Sequence, residues 1–174
     1  NLFGVLPSSL SQMLNLVGLY VQQNRLSGGI GDLFSNSLSW KIEDMNLSNN
    51  TFDGNLPQSL GNLSYLTCLD LHGNKFTGEI PSEVGNLMQL EYFDLSGNRL
   101  SGQIPEKVCG LFNLHYLNLE GNQLGGPVPK NGICQNLSRN FLAGNNDLCG
   151  RIMGLECQIR SFDRSSLLNA WGLA

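Results

Sequence analysis

The sequence predicts an α/β repeat solenoid, in which short parallel strands stack coil upon coil around one continuous core. Three observations lead there. The wording Leu-x-x-Leu-x-Leu-x-x-Asn-x-Leu-x-Gly-x-Ile-Pro begins at Leu66, Leu90 and Leu114, successive starts 24 residues apart, and self-similarity at such a period marks stacked units. Six Asn (Asn24, Asn50, Asn74, Asn98, Asn122, Asn146) and six Gly (Gly28, Gly54, Gly78, Gly102, Gly126, Gly150) hold that phase. Only 14% of the 174 residues are charged while Gly reaches 21, a balance suited to turns and backbone ladders rather than solvated helices.

Each element has a mechanical reason. Residues 1–15 are the back half of a coil, and coils then begin at Leu16, Ile42, Leu66, Leu90 and Leu114. The step from Leu16 to Ile42 is two residues longer, and the surplus in GDLFSNSLSW should bulge the connection near Trp40. Residues 138–157 hold the last half-coil and a cap, and residues 158–174 lose the phase. Alternating residues such as Leu69 and Leu71 point one way from a short strand. No single strand can bury that face, so neighbours must stack into a parallel sheet. The phased Asn should turn the chain inward and pair its amide with backbone groups of adjacent coils. The phased Gly suits a backbone conformation that disfavours Cβ. Proline after Ile fits a turn or edge, where a missing N–H does no harm. The unit is a leucine-rich repeat.

Its second half, written here as LSGQIP, FTGEIP and GNLPQSLGNL, resembles the plant-specific class of these repeats. That resemblance runs from residue 1 to about residue 153. It implies a right-handed solenoid with a concave parallel sheet, extra short strands from the L-x-G-x-I-P segment, and 3-10 turns on the convex side. The series closes with NNDLCGRIMGLEC. A last coil has no follower to cover its core, and a short loop closed by Cys149 and Cys157 would cap it in an oxidising compartment. This cap, with NGICQNLSRNFLAGNNDLCG and SFDRSSLLNAWGLA, resembles the juxtamembrane end of plant leucine-rich-repeat receptor-like kinase ectodomains. Cys68, Cys109 and Cys134 are read as small buried or half-buried thiols, with a Cys109–Cys134 bridge as the alternative. Asn-x-Ser/Thr sequons stand at Asn46, Asn49, Asn62 and Asn136. Asn62 and Asn136 are the better glycosylation candidates, because a sugar on Asn46 would block the concave sheet.

The receptor resemblance implies a cell-surface protein that crosses the plasma membrane once, through a segment after residue 174. Residues 158–174 would be its juxtamembrane tail, with Trp171 near the membrane interface. A cytoplasmic serine/threonine kinase would use ATP and Mg. The implied ligand is a small secreted cysteine-rich protein or peptide perceived in anther cell-fate specification. A leucine-rich-repeat co-receptor kinase would dock on the last repeats and cap, from Tyr92 to about Gly150. Because residue 1 already lies within a coil, the chain is read as part of something longer. A second reading is a secreted inhibitor of a cell-wall glycosidase, similar to polygalacturonase-inhibiting proteins, which share the repeat class and use the same sheet. A third is a structural spacer.

The frame leaves the outward strand positions free, and they align as rows. One runs Gly18, Asp44, Cys68, Tyr92, Tyr116; the next Tyr20, Asn46, Asp70, Asp94, Asn118; a third Gln22, Ser48, His72, Ser96, Glu120. The face is acidic and aromatic. Tyr92, Tyr116, Glu120, His72, Asp94, His115, Tyr20 and Asp70 are its partner-binding candidates, with Tyr92 and Tyr116 expected side by side. Asp70 and Asp94 should repel each other, which a basic partner would relieve. Glu91 and His115, one coil apart, are expected to pair, either as an ion pair or as a solvated contact of little strength.

Chemistry is sparse. The two histidines, His72 and His115, lie on different rows, and no cysteine cluster has metal-ligand spacing. There is no G-x-S-x-G, GGIGD lacks the Lys-Ser/Thr of a phosphate loop, and NNTFDGNLPQSL lacks the Glu that closes a calcium loop. The net charge of −4 argues against nucleic acid. The segment therefore reads as a binding module with no catalytic residue, metal or cofactor of its own.

Overall fold

The computed structural model describes residues 1–34 and 40–158. Of the stretch GDLFSNSLSW, where the bulge is expected, residues 35–39 lie outside the described residues, as does the juxtamembrane tail from residue 159 onward. Strands Gly18–Tyr20, Asp44–Asn46, Cys68–Asp70, Tyr92–Asp94 and Tyr116–Asn118 form a five-stranded concave sheet in that order. The Gly-Ile-Pro half of each coil forms a second, seven-stranded sheet, from Phe3–Gly4 to Asp147–Cys149. Every strand pair is parallel.

Short helical turns fill the convex side. Among them, Ser8–Gln12, Gln58–Asn62 and Ser82–Asn86 are 3-10, and Glu106–Cys109 is α. Each follows a proline (Pro7, Pro57, Pro81, Pro105) in extended geometry. The fixed φ of proline sets the chain's direction there, and no strand bond is lost through its missing N–H. Between the layers lies one apolar core in which Leu69, Phe93 and Leu117 from the concave strands meet Phe76, Leu100 and Leu124 from the second sheet. Phe52 and Phe76 stack at 6.3 Å between ring centroids, and Trp40 packs against Phe34 at 6.4 Å.

The asparagines act as expected, with one displacement. Asn98 Nδ2 donates to the carbonyls of Leu71 and Leu95, both at 3.0 Å, and its Oδ1 accepts the Phe76 N–H at 3.0 Å. Asn50, Asn74 and Asn122 repeat the pattern. In the last coil the role passes to Asn145, 2% exposed, whereas Asn146 is exposed. Asn145 donates to Leu119 and Leu142 carbonyls and accepts the Leu124 N–H. The assignment of Asn146 is thus corrected. The turn Arg139–Leu142 stands where a strand would be, and it reaches the Asn position one residue early. Phe141 and Ala143 carbonyls there accept the N–H groups of Leu119 and Gly121, both at 2.8 Å.

Left-handed backbone recurs just before each working Asn. Gln23, Asn49, Gly73, Gly97, Gly121 and Gly144 all have φ between 51° and 76°. At the phased Gly102, also at positive φ, the backbone conformation favours glycine, and a Cβ would in addition displace the exposed Glu79 side chain, whose Cγ would lie 2.8 Å away.

Cys149–Cys157 closes the cap, and the Gly150 N–H donates to the Leu155 carbonyl across the loop. Cys109 and Cys134 form a second disulfide, with Cα atoms 5.3 Å apart. That corrects the reading of these two as thiols. Cys109 ends the helix of one coil and Cys134 lies in the 3-10 turn Gly132–Asn136 of the next, both fully buried, so stacking brings them into bonding range.

Two outcomes test this account. Asn145→Ala should cost about 1–3 kcal/mol by leaving buried backbone groups unpaired, while Asn146→Ala stays within about 0.5 kcal/mol of wild type, compared by urea midpoints in circular dichroism. For the 25-residue Cys109–Cys134 separation, the chain-entropy relation gives a loss of about 3.5 kcal/mol in Cys109→Ala/Cys134→Ala. Urea denaturation of that pair without reductant measures it.

Candidate functional site

The register places the outward rows where the frame implies. Cys68 lies opposite Tyr92 and Tyr92 opposite Tyr116; Asp70 lies opposite Asp94 and Asp94 opposite Asn118. Alternation does the rest, because Leu69, Phe93 and Leu117 point inward and so turn their neighbours to the concave face.

Tyr92 and Tyr116 form a parallel stack, with ring centroids 4.4 Å apart and planes 2° from parallel. Phe141 meets Tyr116 edge-on at 5.2 Å, extending the aromatic surface into the last half-coil. Phe141 was missed in the sequence because the repeat wording is lost there, although its aromatic character one coil beyond Tyr116 was the available signal. The two tyrosine hydroxyls converge on Asp94 Oδ2, at 3.5 and 3.4 Å, where Asn118 Nδ2 also donates at 3.3 Å. Asp94 Oδ1 accepts from the Ser96 N–H at 2.8 Å and the Ser96 hydroxyl at 2.6 Å. Burial, then the Asp94 and Asp70 charges, push the Tyr92 phenol well above its ordinary range.

Asp70 and Asp94 are only 7% and 5% exposed. The reading of the two as outward charges needing a basic partner is corrected, since both are buried and donors within the chain already satisfy their oxygens. Asp70 takes Asn46 Nδ2 at 3.3 Å, the His72 N–H at 3.1 Å and His72 Nδ1 at 2.7 Å. Asn49 Nδ2 lies 2.8 Å from His72 Nε2. With that amide donating, Nε2 accepts and Nδ1–H faces Asp70. Asn46 and Asn49, two of the sequon residues, therefore belong to the polar network of this face. Asn62 and Asn136 close exposed convex turns.

The remaining candidates scatter around this centre. Tyr20, 62% exposed, folds over Gly18, where a Cβ would meet its ring at 2.6 Å. A hydrogen bond to Asp44 raises its phenol. Glu120 is exposed, its N–H donating to Asn118 Oδ1. Glu91 and His115 are both exposed and meet through the backbone, the His115 N–H donating to the Glu91 carbonyl at 2.9 Å. No ion pair joins them, and the His72 Nδ1–Asp70 Oδ1 contact at 2.7 Å is a hydrogen bond of the neutral ring that becomes ionic only with the imidazole protonated. Cys68 is a free, half-buried thiol pushed up to about 11, first by burial and then by Asp44 and Asp70.

The profile of the family described as Leucine Rich Repeat matches residues 41–63, 65–87, 89–111 and 113–133. The chain belongs to the leucine-rich repeat family. Its repeats are also 44% identical over 43 residues to the leucine-rich repeat receptor protein kinase EMS1 of Arabidopsis thaliana, a match covering 25% of this chain and 3% of that protein. The fold is similar to the Arabidopsis receptor kinase HAESA, solved with the peptide hormone IDA and the co-receptor SERK1. There the TM-score is 0.75 at 31% identity, over 88% of this chain and 25% of that one. The Arabidopsis BIR3–SERK2 complex gives 0.71 at 34% identity, over 80% and 72%. These leucine-rich repeats are thus of the plant receptor-kinase ectodomain type, and they span a small part of EMS1 and HAESA.

Since the thiolate is the nucleophile, native Cys68 should alkylate slowly at pH 8 and faster as pH rises toward about 11. In urea its rate should rise around the ordinary thiol value of about 8.5. Iodoacetamide labelling followed by mass spectrometry across pH checks both profiles, and equal profiles would contradict the half-buried placement.

Proposed function

We propose that this chain is the ligand- and co-receptor-binding part of an extracellular receptor domain. The full protein would be a single-pass plasma-membrane serine/threonine kinase of a plant, with ATP and Mg used by its cytoplasmic part. The observation that carries the reading is the Tyr92–Tyr116 stack, extended by Phe141 across the last coils. Rigid aromatic rings held by their own packing offer a large contact area with little conformational entropy left to lose. Nearby Asp94 is satisfied within the chain, so the rings and the exposed Glu120 and Tyr20 are what a partner meets.

The likeness to HAESA and to the BIR3–SERK2 complex supports a peptide ligand and a leucine-rich-repeat co-receptor as the partner classes. The co-receptor is assigned to the last repeats and cap, from Tyr92 to Gly150. The EMS1 match supports a receptor kinase; the narrower reading, a small secreted cysteine-rich ligand and a role in anther cell-fate specification, is carried by the resemblance of the cap and tail sequence. Bringing two kinases together through their outer domains raises their effective concentration at the membrane, which is how such binding becomes a signal.

Biolayer interferometry with an immobilised SERK1 ectodomain tests the surface. Tyr92→Ala/Tyr116→Ala should weaken binding by roughly tenfold or more, as expected for central aromatic anchors. Tyr65→Ala, on an exposed turn upstream of the stretch from Tyr92 to Gly150, should leave it unchanged. Equal affinity for wild type and the tyrosine double variant would count against this face.

A further inference from the structure

The ledge along the second sheet changes sign before it reaches the cap. Upstream, a groove of about 1080 Å³ is lined by Glu79, Glu83 and Glu106 and by no cation. At the cap, a cavity of about 580 Å³ is lined by Lys130 and Arg151, with the amides of Gln135 and Asn136 and the apolar wall of Val128 and Ile152. An adjoining hollow of about 530 Å³ shares Val128, Lys130 and Arg151 and adds Glu156.

The sheet register explains the pairing of the cations. Pro127 lies opposite Cys149 and the Val128 N–H donates to the Cys149 carbonyl, so Lys130 and Arg151 leave adjacent strands together. Neither forms an ion pair with a carboxylate among the described residues. In a chain of net charge −4, two positive groups thus line one cavity, with Glu156 in the adjoining hollow but not within ion-pair distance of either. The guanidinium offers a planar fork that matches a carboxylate, while the lysine ammonium is a flexible point charge. The apolar wall suits the methylene stem of an acidic side chain.

We propose that this cavity docks an acidic segment of a partner protein, one carboxylate on Arg151 and a neighbouring one on Lys130. The glutamates upstream repel such a segment, which confines it to the cap and fixes its direction along the ledge. The site lies off the concave face and does not depend on the reading given for the tyrosines.

The test is a titration of the 15N-labelled chain with blocked hexaglutamate, blocked hexalysine and inorganic phosphate, followed by amide shifts. Hexaglutamate should saturate with shifts at Val128, Lys130 and Arg151, weaken as salt rises, and bind about tenfold or more weakly to Lys130→Gln/Arg151→Gln. Hexalysine should leave these amides still. The proposal is overturned if hexaglutamate does not move them, or binds the double variant equally. Binding of phosphate without the peptide would overturn it too, by making this a small oxoanion site. An unchanged Tyr92–Tyr116 region in the variant's spectrum separates a local loss of charge from a disturbed fold.

Discussion

Everything in this molecule depends on the side-chain amide of one asparagine per coil. The chain must turn sharply between its two sheets, and that turn strips backbone carbonyls and N–H groups of their strand partners. In a dry interior each such group is costly unless paired. Asn98 resolves this for three segments at once, reaching Leu71, Leu95 and Phe76. Because its partners belong to the preceding coil as well as its own, no coil is complete without its neighbour. The apolar core then adds adhesion that the amides alone could not supply.

That constraint also organises the recognition surface. A ladder with fixed spacing forces outward residues into straight rows, so the Tyr92–Tyr116 stack follows from register rather than from local design. Beneath the rings the face works differently from a charged surface. The carboxylates of Asp70 and Asp94 are consumed by serine, asparagine, histidine and tyrosine donors of the chain itself. They hold the face in shape, and the rings meet the outside.

The fold was legible in the wording because a single periodic frame sets strand, turn and register together. Leu69 could be placed inside and Tyr92 outside from alternation alone. What escaped depends on how neighbouring side chains cover one another. Asp94 reads as exposed from its position, and it is buried because Ser96, Asn118 and the two tyrosines close over it. Cys109 and Cys134 stand about one coil apart, a spacing equally compatible with two thiols, and the 5.3 Å between their Cα atoms decides the matter. Asn145 was hidden by its neighbour Asn146, since a 3-10 turn replaces the strand and advances the phase by one. The left-handed row from Gln23 to Gly144 went unnoticed because Gln and Asn interrupt its glycines.

The Cys109–Cys134 bridge has a mechanical side. Stacked coils joined only by hydrogen bonds yield to a pull on one end by unzipping, one coil after another. Here the final half-coil can come away only as far as Cys134, where the load passes covalently to the helix ending at Cys109. Tension entering from the capped end would then be shared by two coils, and the stacked tyrosines, which lie on those same two coils, would keep their spacing while it lasts.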